Sequence, residues 1–301
     1  MSVQRIYGAE NECTVGPTCA LDYEERKNGP YVRYLEHGQP NPLERWHCHQ
    51  GYELHLIVAT RGKVFVGDYI GQFEPGHLVL TGPRLPHSWI STEVPPEGIA
   101  LRDVALQFAD TPLRRAAELI PDLAEALPLL ERARHGIEFF GLSEVVRGHC
   151  ERIKHSHGLR RLAEFSECLA CMARCRDYRQ LSTVQLQSDE DDASRAKIGG
   201  IVDYVVKNCT TQLSMVDICA GVGMGESSFS RYFRRATGNT FTEFVNRLRI
   251  NQACQLLMET DLFITDVSHE VGFNNVANFS RRFLQIKGMT PKEYRRVRSS
   301  A

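Results

Sequence analysis

The period of the apolar positions changes along the chain. Between Tyr31 and Phe108 the apolar residues fall in short runs, at 53–59, 63–66, 77–80 and 101–108, punctuated by Gly and Pro. Short runs between turn residues predict strands, and their number predicts a sandwich or a small barrel. From Pro112 to Tyr178 the interval becomes three to four, and Leu162, Phe165, Leu169 and Met172 share one helical face. That stripe needs a covering surface, either its own barrel or a second copy of the chain. Residues 185–194 have no apolar period and include the acidic run Asp189 to Asp192, which predicts a linker.

Beyond the linker the pattern is helical and repeats itself. Phe229, Ser230, Arg231, Phe233, Gly238, Thr240, Glu243 and Phe244 return fifty residues later as Phe279, Ser280, Arg281, Phe283, Gly288, Thr290, Glu293 and Tyr294. In the first copy Ser214 and Asp217 form a helix-starting capping box, Gly223 suits a tight turn, and a second helix restarts near Glu226. In the second copy Thr265 is the expected cap, Gly272 the turn and Asn274 the next cap. Helix, turn and basic helix, twice over, is the build of a major-groove reader. The residues expected on the reading face are Ser227, Ser230, Arg231 and Arg235 in the first unit and Val276, Ala277, Ser280 and Arg281 in the second. Val276 and Ala277 can meet only thymine methyls, so base discrimination should lean on the first unit.

Charge supports this reading. The chain as a whole carries a net charge of -1, but from Ala193 onward 15 Lys and Arg face 9 Asp and Glu, while the rest holds 21 against 28. An anionic partner for the basic end follows. The composition is that of a folded protein. The most apolar early segment, 54–59, is interrupted by His55 and is too short to cross a membrane. With no apolar leader after Met1, a cytoplasmic location and ten free Cys are expected. Cys168, Cys171 and Cys175 lie on one helical face without zinc-finger spacing and read as small buried residues.

The segments Arg247 to Ala253, Val271-Gly-Phe273, Asn278 to Phe283 and Gly288 to Arg295 closely resemble the DNA-binding domain of AraC/XylS transcription regulators, over 198–298. The resemblance implies two helix-turn-helix units joined by a long central helix, here 241–258, with operator DNA, a homodimer and RNA polymerase as partners. Two positions depart from the family: Gly225 stands where a Ser cap is usual, and Ser268 where a small apolar residue is usual.

In the N-terminal region His47, His49, Glu53 and His55 share strand parity, and Pro86-His87 follows downstream. His-x-His-x3-Glu with a distant His is a plausible donor set for Zn, Ni, Fe or Mn. The pattern resembles the cupin fold, whose metal-binding members would place His47, His49, Glu53 and His87 as ligands. The same residues could instead hydrogen-bond an organic effector, or be satisfied core positions. Trp46, Tyr52 and Trp89 could offer stacking faces suited to a carbohydrate, or be core aromatics.

The expected protein is thus an α+β multidomain chain. It has a cupin-like effector barrel over 1–110, a helical dimerisation segment over 111–180, a linker over 181–194, and an all-α double helix-turn-helix domain over 195–301. The expected function is effector-controlled transcription regulation without enzymatic activity. A cupin metalloenzyme fused to a DNA-binding domain, and a passive dimeric DNA-binding protein, are the rival classes.

Overall fold

The computed structural model describes residues 29–40, 46–92, 94–183 and 192–298. These fall into two units, one before residue 184 and one from Asp192 onward.

The first unit is β-rich. Its strands are β1 (Arg33–Gln39), β2 (Tyr52–Ile57), β3 (Gly62–Val66), β4 (Tyr69–Phe73), β5 (Leu78–Thr81), β6 (His87–Ser91), β7 (Ile99–Phe108), β8 (Ile137–Phe139) and β9 (Tyr178–Gln180). They form two antiparallel sheets, ordered β1-β7-β2-β5-β8-β9 and β4-β3-β6. A closed barrel was the expectation, and among the described residues the sheets stay open. The reason lies in β5: one edge pairs with β2 and the other with β8, leaving none for the smaller sheet. Because β8 and β9 come from the 111–180 segment, that segment completes the sheet as well as covering it.

Strand alternation separates two interiors. Tyr52, Leu54 and Leu56 of β2, Leu78 and Leu80 of β5, and Val104, Leu106 and Phe108 of β7 face helices α1 (Asp110–Leu119), α2 (Leu127–Ala133), α3 (Ser143–Lys154) and α4 (Gly158–Arg174). The α4 stripe joins this core: Phe165, Leu169 and Met172 are buried, and Phe165 packs edge-on against Phe108 at 4.8 Å. The stripe therefore covers its own sheet, and only Leu162 of the four remains exposed. Cys168 is buried with it, and Cys171 and Cys175 are half-buried.

The opposite face of the large sheet packs Ile57 and Val79 on Val64, Val66 and Trp89 of the small sheet. The same parity turns Glu53, His55, Asp103, Gln107 and Glu138 into this second interior. Buried carboxylates need partners. Asp103 is held 2.7 Å from His37 Nδ1, 3.2 Å from His55 Nε2 and 2.7 Å from Arg102 Nε. Burial opposes its ionisation, but these neighbours outweigh it and keep the carboxyl ionised far below the usual range. Deeper in, Trp89 Nε1 donates to His77 Nδ1 at 3.3 Å, and Glu138 is paired with Arg179.

The expected 181–194 linker divides. The Leu181 and Ser182 amides donate to Gly136 O and His135 O, and the Ser182 hydroxyl and Thr183 amide both donate to buried Asp68 at 2.8 Å. At its far end Asp192 already opens a helix. Residues 184–191 lie outside the described residues.

The second unit is α-helical, with α5 (Asp192–Asn208), α6 (Met215–Gly221), α7 (Glu226–Thr237), α8 (Phe241–Glu259), α9 (Ile264–Glu270), α10 (Val276–Lys287) and α11 (Pro291–Arg298). Two aromatic cores sit on α8. Phe229 and Phe233 meet Phe241 and Phe244 near its start, while Phe279, Phe283, Val267, Val271 and Phe273 pack on Ile250, Ala253, Cys254 and Leu257 further along. Among the described residues no helix is long and apolar enough to cross a membrane.

Two stability outcomes are expected. Ser268 is fully buried in α9 and its Oγ has no hydrogen-bond partner among the described residues. Ser268→Ala should therefore stabilise the chain by about 1 kcal/mol in urea unfolding, since it removes an unsatisfied buried hydroxyl. Burial, helped by His55 and Arg179, pushes the His77 pKa down to about 3. Between roughly pH 6.5 and that value the unfolded chain binds a proton that the folded chain refuses, so the stability contributed by neutral His77 falls as pH falls. In urea unfolding at pH 7 and pH 5, His77→Gln should lose about 2 kcal/mol less than wild type across the interval. Equal losses would show that His77 titrates normally.

Candidate functional site

The first candidate site lies between the two sheets. Glu53 comes from β2 and His87 from β6, while His47 and His49 come from the loop before β2. The strand parity expected to align His47 and His49 with Glu53 does not extend that far, because β2 begins only at Tyr52. A backbone bridge performs the alignment instead: His47 N donates to His87 O at 3.1 Å and His87 N to His47 O at 2.8 Å. Ring centroids stand 4.5 Å apart for His47 and His87 and 4.9 Å for His49 and His87. One donor atom from each of His47, Glu53 and His87 lies within 4.8 Å of the others.

Hydrogen bonds around the site fix which nitrogens face inward. His49 Nδ1 lies 2.9 Å from Gly51 O, and His87 Nδ1 lies 2.7 Å from Leu85 O. With Nδ1–H committed to a carbonyl, each Nε2 lone pair turns toward Glu53, at 3.4 Å for His49 and 3.8 Å for His87. Both Nε2 atoms are buried without a hydrogen-bond partner. Gln107, opposite Glu53 in the register of β2 and β7, donates to Glu53 Oε2 at 2.6 Å and orients the carboxylate.

Burial works against the Glu53 carboxylate, yet the surrounding histidines hold it well below its usual range. Burial, reinforced by His47 and His49, keeps the His87 imidazole neutral well below the usual range. For His49 burial is outweighed by Glu53, which raises its pKa. Inward-facing imidazoles oriented by carbonyls, beside a carboxylate oriented by an amide, form a donor set with its supporting shell in place. The group close enough to share one ion is His47, Glu53 and His87, with the expected ligand His49 outside it, and these donor types suit a borderline divalent ion.

Other expected residues fall elsewhere. His55 shares the parity of Glu53 but stacks on Trp89 at 4.0 Å and pairs with Asp103. Trp89 and Trp46 are buried, Trp46 edge-on against Phe65, so the expected carbohydrate-stacking surface is not formed. Tyr52 stacks on Phe108 on the helical side of the sheet. Sequence reading missed Gln107, Asp103 and His37. Their signal was polar residues alternating with Val104, Leu106 and Phe108 in one strand, and His37 standing opposite Asp103 in the pairing of β1 with β7.

The second candidate site is the outer face of α7 and α10. Both turns use Gly in the left-handed region, Gly223 at φ 67° and Gly272 at φ 89°. The bonds after them match: Met224 N to Cys219 O and Phe273 N to Ser268 O, each at 3.0 Å. Gly238 and Gly288 close α7 and α10 in the same left-handed way, and Thr240 with Glu243 and Thr290 with Glu293 cap the helices that follow. One cap is as expected and two differ. Gly225 caps α7 without a side chain, as its missing Cβ dictates; Asn275 rather than Asn274 caps α10; and Phe263 precedes α9, leaving Thr265 inside the helix.

Burying Phe229 and Phe233 turns Ser227, Ser230, Arg231 and Arg235 outward. Burying Phe279 and Phe283 does the same for Ala277 and Arg281, with Val276 and Ser280 half-buried. Arg281 is steadied by Asn278 Oδ1 at 3.0 Å. Each unit thus presents a basic helix over an aromatic core, with small residues near its start.

Residues 218–297 match the family described as a helix-turn-helix domain. An uncharacterized HTH-type transcriptional regulator of Staphylococcus aureus is 36% identical over 99 residues, covering 33% of this chain and 13% of that protein. The HTH-type regulator YdeC of Bacillus subtilis is 27% identical over 116 residues, covering 38% of this chain and 40% of that protein. The chain therefore spans well under two thirds of these relatives. Among solved structures, a transcriptional regulator from Chromobacterium violaceum with an AraC-type DNA-binding domain is 28% identical, at a TM-score of 0.33, covering 36% of this chain and 97% of that one. The matched residues, the paired glycine turns and the repeated caps agree: residues 218–297 of this chain form a helix-turn-helix domain.

Proposed function

We propose that the chain is a transcription regulator, not an enzyme, which reads double-stranded operator DNA through α7 and α10. The supporting observation is the matched pair of exposed arginines, Arg231 and Arg281, each on the second helix of its helix-turn-helix unit. Arginine at such a position makes bidentate bonds to guanine edges or pairs with phosphate. The N-terminal unit is proposed as a cupin-like effector domain whose effector is a divalent metal ion, held by His47, His49, Glu53 and His87. The donor atoms of His47, Glu53 and His87 within 4.8 Å of one another, and the unpartnered His87 Nε2, support this reading. An ion supplies the charge and acceptor orbitals these nitrogens and Glu53 call for, and it would tie the large sheet to the small one. A carbohydrate lacks such support, because the aromatic faces it would use are buried. Control arises if metal binding favours one conformation of the chain over another with different affinity for DNA. Homodimerisation, contact with RNA polymerase and a cytoplasmic location belong to the same proposal.

Arg231→Ala should weaken binding to the preferred duplex by about 1–3 kcal/mol and relax selectivity at one base position. Arg281→Ala should relax selectivity less, because Val276 and Ala277 beside it offer no hydrogen bonds. Titration against single-base variants of the duplex checks this, and equal base-independent losses would reduce both residues to phosphate contacts. For the metal, elemental analysis of freshly purified wild type should find roughly one ion per chain, released as pH falls and protons compete for the imidazole lone pairs. Replacing both His47 and His49 by Ala should remove the ion and any metal-dependent change in DNA affinity. A metal-free wild type whose DNA binding ignores added metal would overturn the effector assignment.

A further inference from the structure

The two helix-turn-helix cores are seated on different stretches of α8. The first packs on Phe241 and Phe244 near its start, and the second begins at Ile250. Arg249 stands at the changeover, and its side chain reaches both units. Nε donates to Cys209 O at 2.7 Å and an Nη donates to Thr211 O at 2.9 Å, in the loop that leads into α6 of the first unit. The same guanidinium lies over the Phe273 ring, in the turn of the second unit, with Cζ 5.6 Å from the ring centroid. Gly272 completes the contact. A Cβ there would stand 2.5 Å from Thr210 O and 3.1 Å from Arg249 Nε, so the second turn lies directly on the loop of the first unit.

We infer that Arg249 is a positioning residue for DNA recognition: it fixes the relative placement of α7 and α10 and thereby the base-pair spacing the protein accepts. The inference rests on the DNA-reading function proposed above. Chemistry explains the choice of arginine. Two carbonyls in different directions and an aromatic face must be satisfied together, which suits a planar, five-donor fork. A lysine offers one compact head and cannot serve all three. Mechanics explains the consequence. The 19-residue α8 is about 28 Å long, so a unit lies roughly 14 Å from a hinge at its middle. A tilt of about 10° there moves a recognition helix by about 2.5 Å, against a base-pair rise of about 3.4 Å. Without a clamp at the changeover, a spacing error of one base pair becomes tolerable.

The test uses the full chain and duplexes enriched from a random library by wild type. The preferred duplex is then remade with one base pair inserted or removed between its two recognised segments. Wild type should lose at least tenfold in affinity on either change. Arg249→Lys and Arg249→Met should bind the parent duplex more weakly, lose under threefold on the altered spacings, and enrich a broader range of spacings from the library. Circular dichroism at the assay temperature shows that each variant is folded, and should Arg249→Met fail to fold, Arg249→Lys decides the outcome. Folded variants that keep the tenfold penalty would overturn the role of Arg249, as would a wild type indifferent to spacing. A wild type that enriches no duplex would instead overturn the DNA-reading function itself.

Discussion

Ionised carboxylates inside a protein must be matched by partners, and in the N-terminal unit that requirement shapes the space between the sheets. Glu53, Asp103 and Glu138 all turn into the same interior because strand alternation leaves them no other face. Asp103 is satisfied by His37, His55 and Arg102, and Glu138 by Arg179. Glu53 receives Gln107 but leaves two neighbouring imidazole nitrogens unpartnered. His55 Nδ1 and His77 Nε2 in the same interior are likewise buried without a hydrogen-bond partner. The large sheet supplies Glu53, the small sheet supplies His87, and the helices cover the opposite, fully apolar face.

In the C-terminal unit the corresponding constraint is that one helix serves two cores. Helix α8 buries residues on nearly every side, because the first aromatic cluster takes one stretch and the second takes the next. Asn246 and Asn251 are buried on it as well, and Asn251 accepts from Lys287 of α10 at 2.7 Å. Such a helix cannot show a simple amphipathic stripe. The recognition helices α7 and α10 show the opposite pattern, with one aromatic face inward and a basic face outward. Stability is thus concentrated in the shared helix, while chemistry is left on the two that it carries.

The C-terminal half was largely legible in the sequence because its devices are local. A glycine in the left-handed region, a threonine three residues before a glutamate, and phenylalanines four residues apart each act within one helical turn, so the repeat announced both units and the exposed arginines. The errors there were shifts of one or two residues at caps, where Asn275 and Phe263 take the places expected of Asn274 and Thr265. In the N-terminal half the four strand runs were readable, whereas β1, β4 and β6, and the short β8 and β9, were not. Three-residue strands carry no periodicity, and they form only because β5 leaves an edge open.

The sequence by itself determined the two helix-turn-helix units and the outward face of each recognition helix, since these follow from spacing along one short stretch of chain. Tertiary structure alone decided the rest. It brought His87 to His47 through a backbone bridge forty residues apart in sequence, turned the α4 stripe onto its own sheet, buried Trp46 and Trp89, and set Arg249 between two units. These are contacts between segments distant along the chain, and periodicity records only which face of an element is apolar, not which surface will come to cover it.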